Sequence, residues 1–288
     1  MNNIFVNGQA QENVSVLDRG LLYGDSLFET IALIDGFALM MDAHLSRLKK
    51  GIFKLGFNLD ISTLKKELDV FIKQINLSKD NNQNVLRITL TRSAQSRGYQ
   101  PMKGALATRI LSIHDWPEYE QRLYDSGVRM GLSQIKYAQQ PFLAGIKHGN
   151  RLEQVLAAQS ISHDQDDVLM LDTKEHVISS GKGNLFFLFN DEWFTPNLSL
   201  CGIDGIVRAT ILEFFSNTGV AYRIDNLHLA ELSDKKKEIK AAFCCNSIMG
   251  IMPIQTLLGE HVNSAGDENI KQSEVLRNAL IHSKVIAS

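Results

Sequence analysis

The stretch Gly145-Ile146-Lys147-His148-Gly149-Asn150-Arg151-Leu152-Glu153-Gln154-Val155-Leu156-Ala157 decides how this chain is read. A lysine stands beside isoleucine, between two glycines, just ahead of an amphipathic helical pattern. Glycine allows another group to approach the backbone closely, and an apolar neighbour can strip water from an amine. Desolvation lowers a lysine's pKa and frees the neutral amine for Schiff-base chemistry. On composition alone the same residue reads as a surface lysine.

Working outward, the helical pattern predicts a helix over 150–162. Upstream, residues 3–8 and 27–33 read as strands, and Asp35-Gly36 gives a turn into a returning strand over 37–41, so 27–41 forms a hairpin. Asp42 can cap a helix over 43–56, where Leu45, Leu48, Ile52 and Leu55 recur at helical spacing. A second helix is expected over 61–75, then strands over 84–92 and 107–114. The segment from Asp115 to Glu120, with Trp116-Pro117, interrupts the pattern. Beyond it, strands over 127–134, 167–172, 184–189 and 239–245 alternate with helices over 150–162, 205–217 and 272–283. The fold class is therefore mixed α+β and α/β in two domains. A small α+β domain covers 1–114, a linker covers 115–121, and a larger domain covers 122–288. A crevice between two domains is a frequent place for a ligand.

Two further features suggest an anion. Arg47 lies on the helix over 43–56, off its apolar stripe; it is either a solvated arginine or a planar fork for phosphate. Gly202-Ile203-Asp204-Gly205-Ile206-Val207-Arg208 leads into a helix, whose first N–H groups attract anions. An ordinary turn before a helix reads the same way. The net charge of −2 gives no reason to expect nucleic acid or an anionic membrane as partner. With 44% apolar and 22% charged residues among 288, the composition is that of a globular protein, and no apolar run is long enough for a transmembrane helix. The start of the chain lacks the plan of a signal peptide, so a cytoplasmic location is expected. Cys201, Cys244 and Cys245 form no CxxC pair or Cys/His cluster; buried free thiols are expected and no metal.

The string Ile146-Lys147-His148-x-Asn150-Arg151-Leu152-Glu153-Gln154-Val155-Leu156 resembles the cofactor-lysine segment of the fold-type IV pyridoxal-phosphate (PLP) enzymes. That family contains branched-chain and D-amino-acid aminotransferases and aminodeoxychorismate lyases. Other family motifs follow in order: Asp18-Arg19-Gly20-Leu21-Leu22-Tyr23-Gly24-Asp25 with Phe28-Glu29-Thr30, His44-Leu45-x-Arg47-Leu48, Asn184-Leu185-Phe186, the Gly202-to-Arg208 segment, and Asn246-Ser247 with Met252-Pro253-Ile254. The match runs from about Val6 to Ile254. The resemblance implies the D-amino-acid aminotransferase-like fold, with pyridoxal 5′-phosphate as cofactor and Lys147 as its Schiff-base lysine. Arg47 then grips the 5′-phosphate, with the N–H groups of Ile206 and Val207 after Gly205 and the Ser247 hydroxyl. Asn184 and Asn246 lie close by. A homodimer is implied too, with the 18–25 segment a candidate to cross between subunits.

Two features separate the subfamilies. Arg97-Gly98-Tyr99 resembles the loop of aminodeoxychorismate lyases, and Arg97 offers a bidentate partner for a carboxylate of a small chorismate-derived amine. Tyr99 and Tyr23 are further substrate candidates. Arg151 stands where branched-chain enzymes carry tyrosine, and it either approaches the cofactor or braces the site. The second feature is a departure: the family usually places glutamate against the pyridine nitrogen at the position of Ser179. Serine can hydrogen-bond that nitrogen without negative charge, which makes the ring a weaker electron sink and favours elimination over transamination. The expected activity is PLP-dependent loss of pyruvate to give 4-aminobenzoate for folate synthesis. A transaminase of D- or branched-chain amino acids and a non-catalytic PLP carrier are the competing readings.

Overall fold

The protein is described by a computed structural model covering residues 3–75, 82–93, 98–262 and 267–287. The chain forms two compact units. The first comprises Met1–Pro117 together with Ile146–Asn150, and the second comprises Glu118–Gly145 with Arg151–Ser288. The five residues around Lys147 thus group with the first unit rather than with the chain on either side of them.

In the first unit, β1 (Ile4–Val6), β2 (Gln9–Ala10), α1 (Arg19–Tyr23), β3 (Ser26–Ile34) and β4 (Phe37–Ala38) come first. The helices α2 (Met41–Leu55) and α3 (Ile61–Gln74) follow, then β5 (Gln83–Arg92) and β6 (Ala107–Asp115). The six strands make one antiparallel sheet in the order β2-β1-β6-β5-β3-β4. Strand periodicity puts Leu27, Glu29, Ile31 and Leu33 on one face of β3, and all four are buried. The glycine at 51 lets α2 close on that face: a Cβ there would lie 2.7 Å from Leu27 Cδ2. Leu64, Leu68 and Phe71 of α3 complete the core, each buried side chain contributing about 1.5–3 kcal/mol.

In the second unit, α4 (Arg122–Asp125), β7 (Val128–Leu132), α5 (Leu152–Gln159), β8 (Asp167–Leu171), β9 (Val177–Ser180), β10 (Asn184–Phe189) and β11 (Glu192–Pro196) lead to α6 (Ile206–Thr218). Then come β12 (Tyr222–Asp225), α7 (Leu229–Lys235), β13 (Ile239–Asn246), β14 (Gly250–Leu257), β15 (Glu260–His261) and α8 (Asp267–His282). The sheet order is β12-β11-β10-β13-β14-β7-β8-β9, with β15 on β14. Pairs β11–β12, β14–β7 and β7–β8 are parallel and the rest antiparallel, which makes the sheet mixed. One part of its packing is aromatic: Phe186 stacks on Phe243 at 4.9 Å and Trp193 on Phe215 at 5.8 Å. The three cysteines are buried free thiols, and burial pushes those of Cys201 and Cys245 up to about 12.

Several elements depart from the sequence expectation. The returning strand of the hairpin is only Phe37–Ala38, because Met40 turns into the left-handed region (φ 52°) and α2 starts at Met41. Asp42 is therefore in the first turn of α2 rather than at its cap, and Met40 makes no side-chain cap bond. The helix expected over 150–162 is Leu152–Gln159, since the residues ahead of it are extended against β3. Strands β2, β9, β11, β12, β14 and β15 are additions to the expected set. The inner positions of β9 include two serines, and β14 carries Pro253, which cannot donate to a ladder. Among the described residues, no helix is long and apolar enough to cross a membrane.

The lysine segment is fastened to β3 by backbone hydrogen bonds. Phe28 N donates to Lys147 O at 2.9 Å and Gly149 N to Ser26 O at 2.9 Å. A Cβ on Gly149 would lie 1.9 Å from Ser26 Oγ, and one on Gly24 would lie 2.0 Å from Asn150 Oδ1. Gly149→Ala is expected to destabilise the chain by about 1–3 kcal/mol through this overlap. Adding Ser26→Ala should restore part of the loss in denaturant titrations; no recovery would show that the contact is not the cause.

Candidate active site

Glu29 organises the first unit's polar centre. It points from the helix-facing side of β3 toward α2 and is 0% exposed. Arg47 Nε donates to Glu29 Oε1 at 2.8 Å, Arg47 Nη2 binds Oε2, and His44 Nδ1 is 2.7 Å from Oε2. Burial alone would raise the Glu29 carboxyl; Arg47 and His44 outweigh it and hold the group below its ordinary value. For His44, burial outweighs Glu29 and lowers the imidazole below its usual range, with Arg47 and Lys147 pushing the same way. A neutral His44 therefore gives its Nδ1–H to the carboxylate. Of the two expectations for Arg47, the solvated residue is overturned, since the side chain is only 8% exposed and clamped by this carboxylate. Any donation to an anion comes from a guanidinium already aimed by Glu29.

The opposite face of β3 carries Lys147. Its Nζ lies 4.5 Å from the centre of the Phe28 ring, and the Arg87 guanidinium lies 4.4 Å from the same ring. Arg87, in the middle of the apolar run of β5, donates to Thr89 Oγ1 and is lowered by burial. No carboxylate pairs with Arg87 among the described residues. Sequence reading passes over it, although a cation between Leu86 and Ile88 in a strand is the available signal.

The loop candidates divide. Tyr99 is 87% exposed and meets Tyr23 edge-on at 5.6 Å. Arg19 holds the backbone of this loop, donating to Gly98 O at 2.6 Å and Tyr99 O at 2.8 Å, while its Nε and that of Arg92 share Asp25. Asp18 caps α1 through Gly20 N at 2.8 Å. Arg97 lies outside the described residues.

In the second unit, α6 begins at Gly205, where no side chain caps the helix. Asn184 Nδ2 donates to Ile203 O at 3.0 Å, and a Cβ on Gly205 would lie 2.0 Å from Asn184 Oδ1. The asparagine thus braces the loop and the glycine keeps the first turn open at Ile206 and Val207. Arg208 is spent on Thr195, Asp204 and Pro196 O. Asn246 Oδ1 accepts from Ile248 N and Met249 N, both at 2.8 Å, which shapes the turn holding Ser247. Ser179 Oγ is 2.9 Å from Tyr137 Oη and donates to Ser180 O at 2.7 Å. Arg151, lowered by burial, acts electrostatically on Tyr137. The role of Tyr137 has no signal in the sequence, because forty-two positions separate it from Ser179.

The family model described as Amino-transferase class IV matches residues 26–257. The chain belongs to this family. An aminodeoxychorismate lyase from Vibrio harveyi is 30% identical over 253 residues, 87% of this chain and 89% of that protein. The crystal structure of 4-amino-4-deoxychorismate lyase from Pseudomonas aeruginosa shares 36% identity and superposes with a TM-score of 0.86, covering 97% of this chain and 98% of that one. The branched-chain amino acid aminotransferase of Escherichia coli shares the fold (TM-score 0.84) at 19% identity, covering 98% of this chain and 94% of that one. The two-domain fold-type IV architecture expected from the motifs is the one observed.

Class IV aminotransferases use PLP, and the donor set fits that group. An amine set against an aromatic ring suits an aldehyde, and an uncapped helix start suits a phosphate. The buried Gln154 amide adds polar capacity beside Tyr137, on which it acts.

The Glu29 clamp has a pH signature. Because Glu29 is held below its ordinary value, its contribution to stability is present above the normal carboxylate range and is lost as pH falls through the lowered value. Arg47→Ala strands the buried carboxylate, which should cost about 3–5 kcal/mol at neutral pH. The deficit should narrow in acid, where Glu29 takes up a proton. Urea titrations at several pH values check this, and a deficit that stays constant with pH would refute it.

Proposed function

We propose that this chain is an aminodeoxychorismate lyase, which releases pyruvate from 4-amino-4-deoxychorismate and leaves 4-aminobenzoate for folate synthesis. The observation that carries the reading is that the Lys147 amine and the Arg87 guanidinium both lie over the Phe28 ring. The first can move a proton, and the second suits an anionic substrate. The 36% identity with the Pseudomonas aeruginosa lyase across nearly the whole chain supports the same substrate.

In this reading Lys147 holds the cofactor's aldehyde carbon covalently. Arg47, the N–H groups of Ile206 and Val207 after Gly205, and the Ser247 hydroxyl take its phosphate, with Asn184 and Asn246 shaping the loops that present them. Ser179 meets the ring nitrogen. When bound, PLP supplies the electron sink that acidifies the C–H bond at the amine-bearing carbon. Lys147 Nζ, freed when the substrate's amine takes its place on the cofactor, would take that proton; the neighbouring carbon–oxygen bond would break, the leaving enolpyruvate would pick up a proton to become pyruvate, and the remaining ring would become aromatic. Arg97 and Arg87 pair with the substrate carboxylates, and Tyr23 and Tyr99 line the substrate. The pull of Arg151 on Tyr137 supports a bracing role for that arginine. The absence of a carboxylate at position 179 supports elimination, since aromatisation makes a long-lived carbanion unnecessary. A homodimer belongs to the proposal, supported by exposed Val16, Leu17, Leu21 and Leu22 around α1.

The PLP-loaded protein should convert 4-amino-4-deoxychorismate to equal amounts of pyruvate and 4-aminobenzoate. Lys147→Ala should slow this by at least about 10²–10⁴-fold. Amino-acid formation from D- or branched-chain donors and 2-oxo acids, without pyruvate release, would replace the lyase by a transaminase. Ser179→Glu should move the loaded enzyme's partition toward amine transfer, read as pyridoxamine phosphate per pyruvate; an unchanged ratio would remove the argument from position 179.

A further inference from the structure

Ser179 and Tyr137 form a hydroxyl pair whose proton directions follow from its surroundings. Both residues are buried. The Ser180 carbonyl can only accept, so the 2.7 Å contact from Ser179 Oγ uses that hydroxyl's single proton. The 2.9 Å contact with Tyr137 must then run the other way, with the phenol donating to Ser179 Oγ. Burial pushes the Tyr137 hydroxyl up, so it keeps the proton it donates. The backbone holds the tyrosine in place: Tyr137 N donates to Leu171 O at 2.8 Å, on the β8 side of the β8–β9 pair that carries Ser179. Gln154 and Arg151 also act on the phenol.

Ser179 Oγ therefore has its proton committed to Ser180 and one lone pair committed to Tyr137. Toward a ligand it presents only the remaining lone pair. Such an oxygen binds a donor and repels an acceptor.

We propose that Tyr137 is a positioning residue that locks Ser179 as a neutral hydrogen-bond acceptor, so that the bound cofactor's ring nitrogen is held in its protonated form by a hydroxyl pair instead of a carboxylate. The inference rests on the reading above that Ser179 meets that nitrogen. It gives Tyr137 a role in setting the cofactor's electronics without touching it.

The test uses the full chain loaded with PLP labelled with ¹⁵N in the ring. The nitrogen shift is followed as a function of pH in the parent, Tyr137→Phe, Ser179→Ala and the double variant, alongside PLP dissociation constants. Tyr137→Phe deletes one oxygen and keeps the aromatic body. It should release the ring proton at lower pH than the parent and weaken PLP retention roughly 2- to 10-fold, the range for one neutral hydrogen bond. Ser179→Ala should do the same, and adding Tyr137→Phe to it should change nothing more, because the tyrosine acts through the serine. If Ser179→Ala moves the titration and Tyr137→Phe does not, the role of Tyr137 is wrong while Ser179 stays at the nitrogen. If neither moves it, Ser179 does not meet the ring nitrogen and the inference fails with that assignment. Failure to take up PLP at all would instead overturn the proposed function.

Discussion

The arrangement of the first unit depends on a short extended segment pairing with a strand far from it in sequence. Ile146–Asn150 adds to the edge of β3 where Ser26, Leu27 and Phe28 offer backbone groups, and Leu27 and His148 face each other in antiparallel register. Because side chains alternate along β3, this pairing fixes which face Lys147 shares. It is the face of Phe28 and not the helix-covered face of Leu27 and Glu29. Glycine at 24 and 149 makes the approach possible. The Lys147 backbone is thus placed by main-chain hydrogen bonds, which are insensitive to the identity of the side chains around it.

The helix-covered face of the same strand shows why a buried carboxylate is tolerated. Glu29 lost its water on folding, and three N–H groups from Arg47 and His44 return most of that solvation in fixed directions. His44 takes part as a neutral donor, leaving one cation to one anion. Had His44 been charged, the cluster would carry net positive charge next to Lys147, whose own charge already opposes it. The clamp therefore gives Arg47 a defined orientation while adding almost no net charge of its own to the surroundings of the amine.

The motifs made the family legible because they are local. The lysine segment, the Asp18–Asp25 turn and the Gly202–Arg208 helix entry each carry their chemistry within a few consecutive residues. The helices α2 and α3 were legible for a similar reason, as their apolar repeat is a property of one element. What was not legible is tertiary. The burial of Arg47 depends on Glu29 in another strand, and an arginine off the apolar stripe of a helix gives no sign of that carboxylate. The truncation of the helix after Arg151 follows from the preceding residues pairing with β3, which local helix propensity cannot express. Strand β9 escaped because Ser179 and Ser180 are buried and bonded to Tyr137 and to neighbouring backbone groups, where a buried strand is usually recognised by its apolar side chains. Tyr137 reads as one more aromatic residue until the fold brings it to Ser179.

The two polar centres handle charge in opposite ways, and this bears on the reaction. Around Glu29 a full negative charge is buried and neutralised by a guanidinium. Around Ser179 the hydrogen-bond partners among the described residues are the Tyr137 hydroxyl and the Ser180 carbonyl, and Gln154, Arg151 and Glu153 act on Tyr137. A neutral acceptor stabilises a protonated ring nitrogen less than a carboxylate does, since hydrogen bonds to charged groups are worth roughly twice neutral ones. For a transaminase that deficit falls on a carbanion that must survive until it is reprotonated elsewhere. For an elimination that ends in an aromatic ring, the product supplies driving force that the cofactor need not. A hydroxyl pair at this position is thus consistent with a chain whose substrate, rather than whose cofactor environment, carries the larger share of carbanion stabilisation.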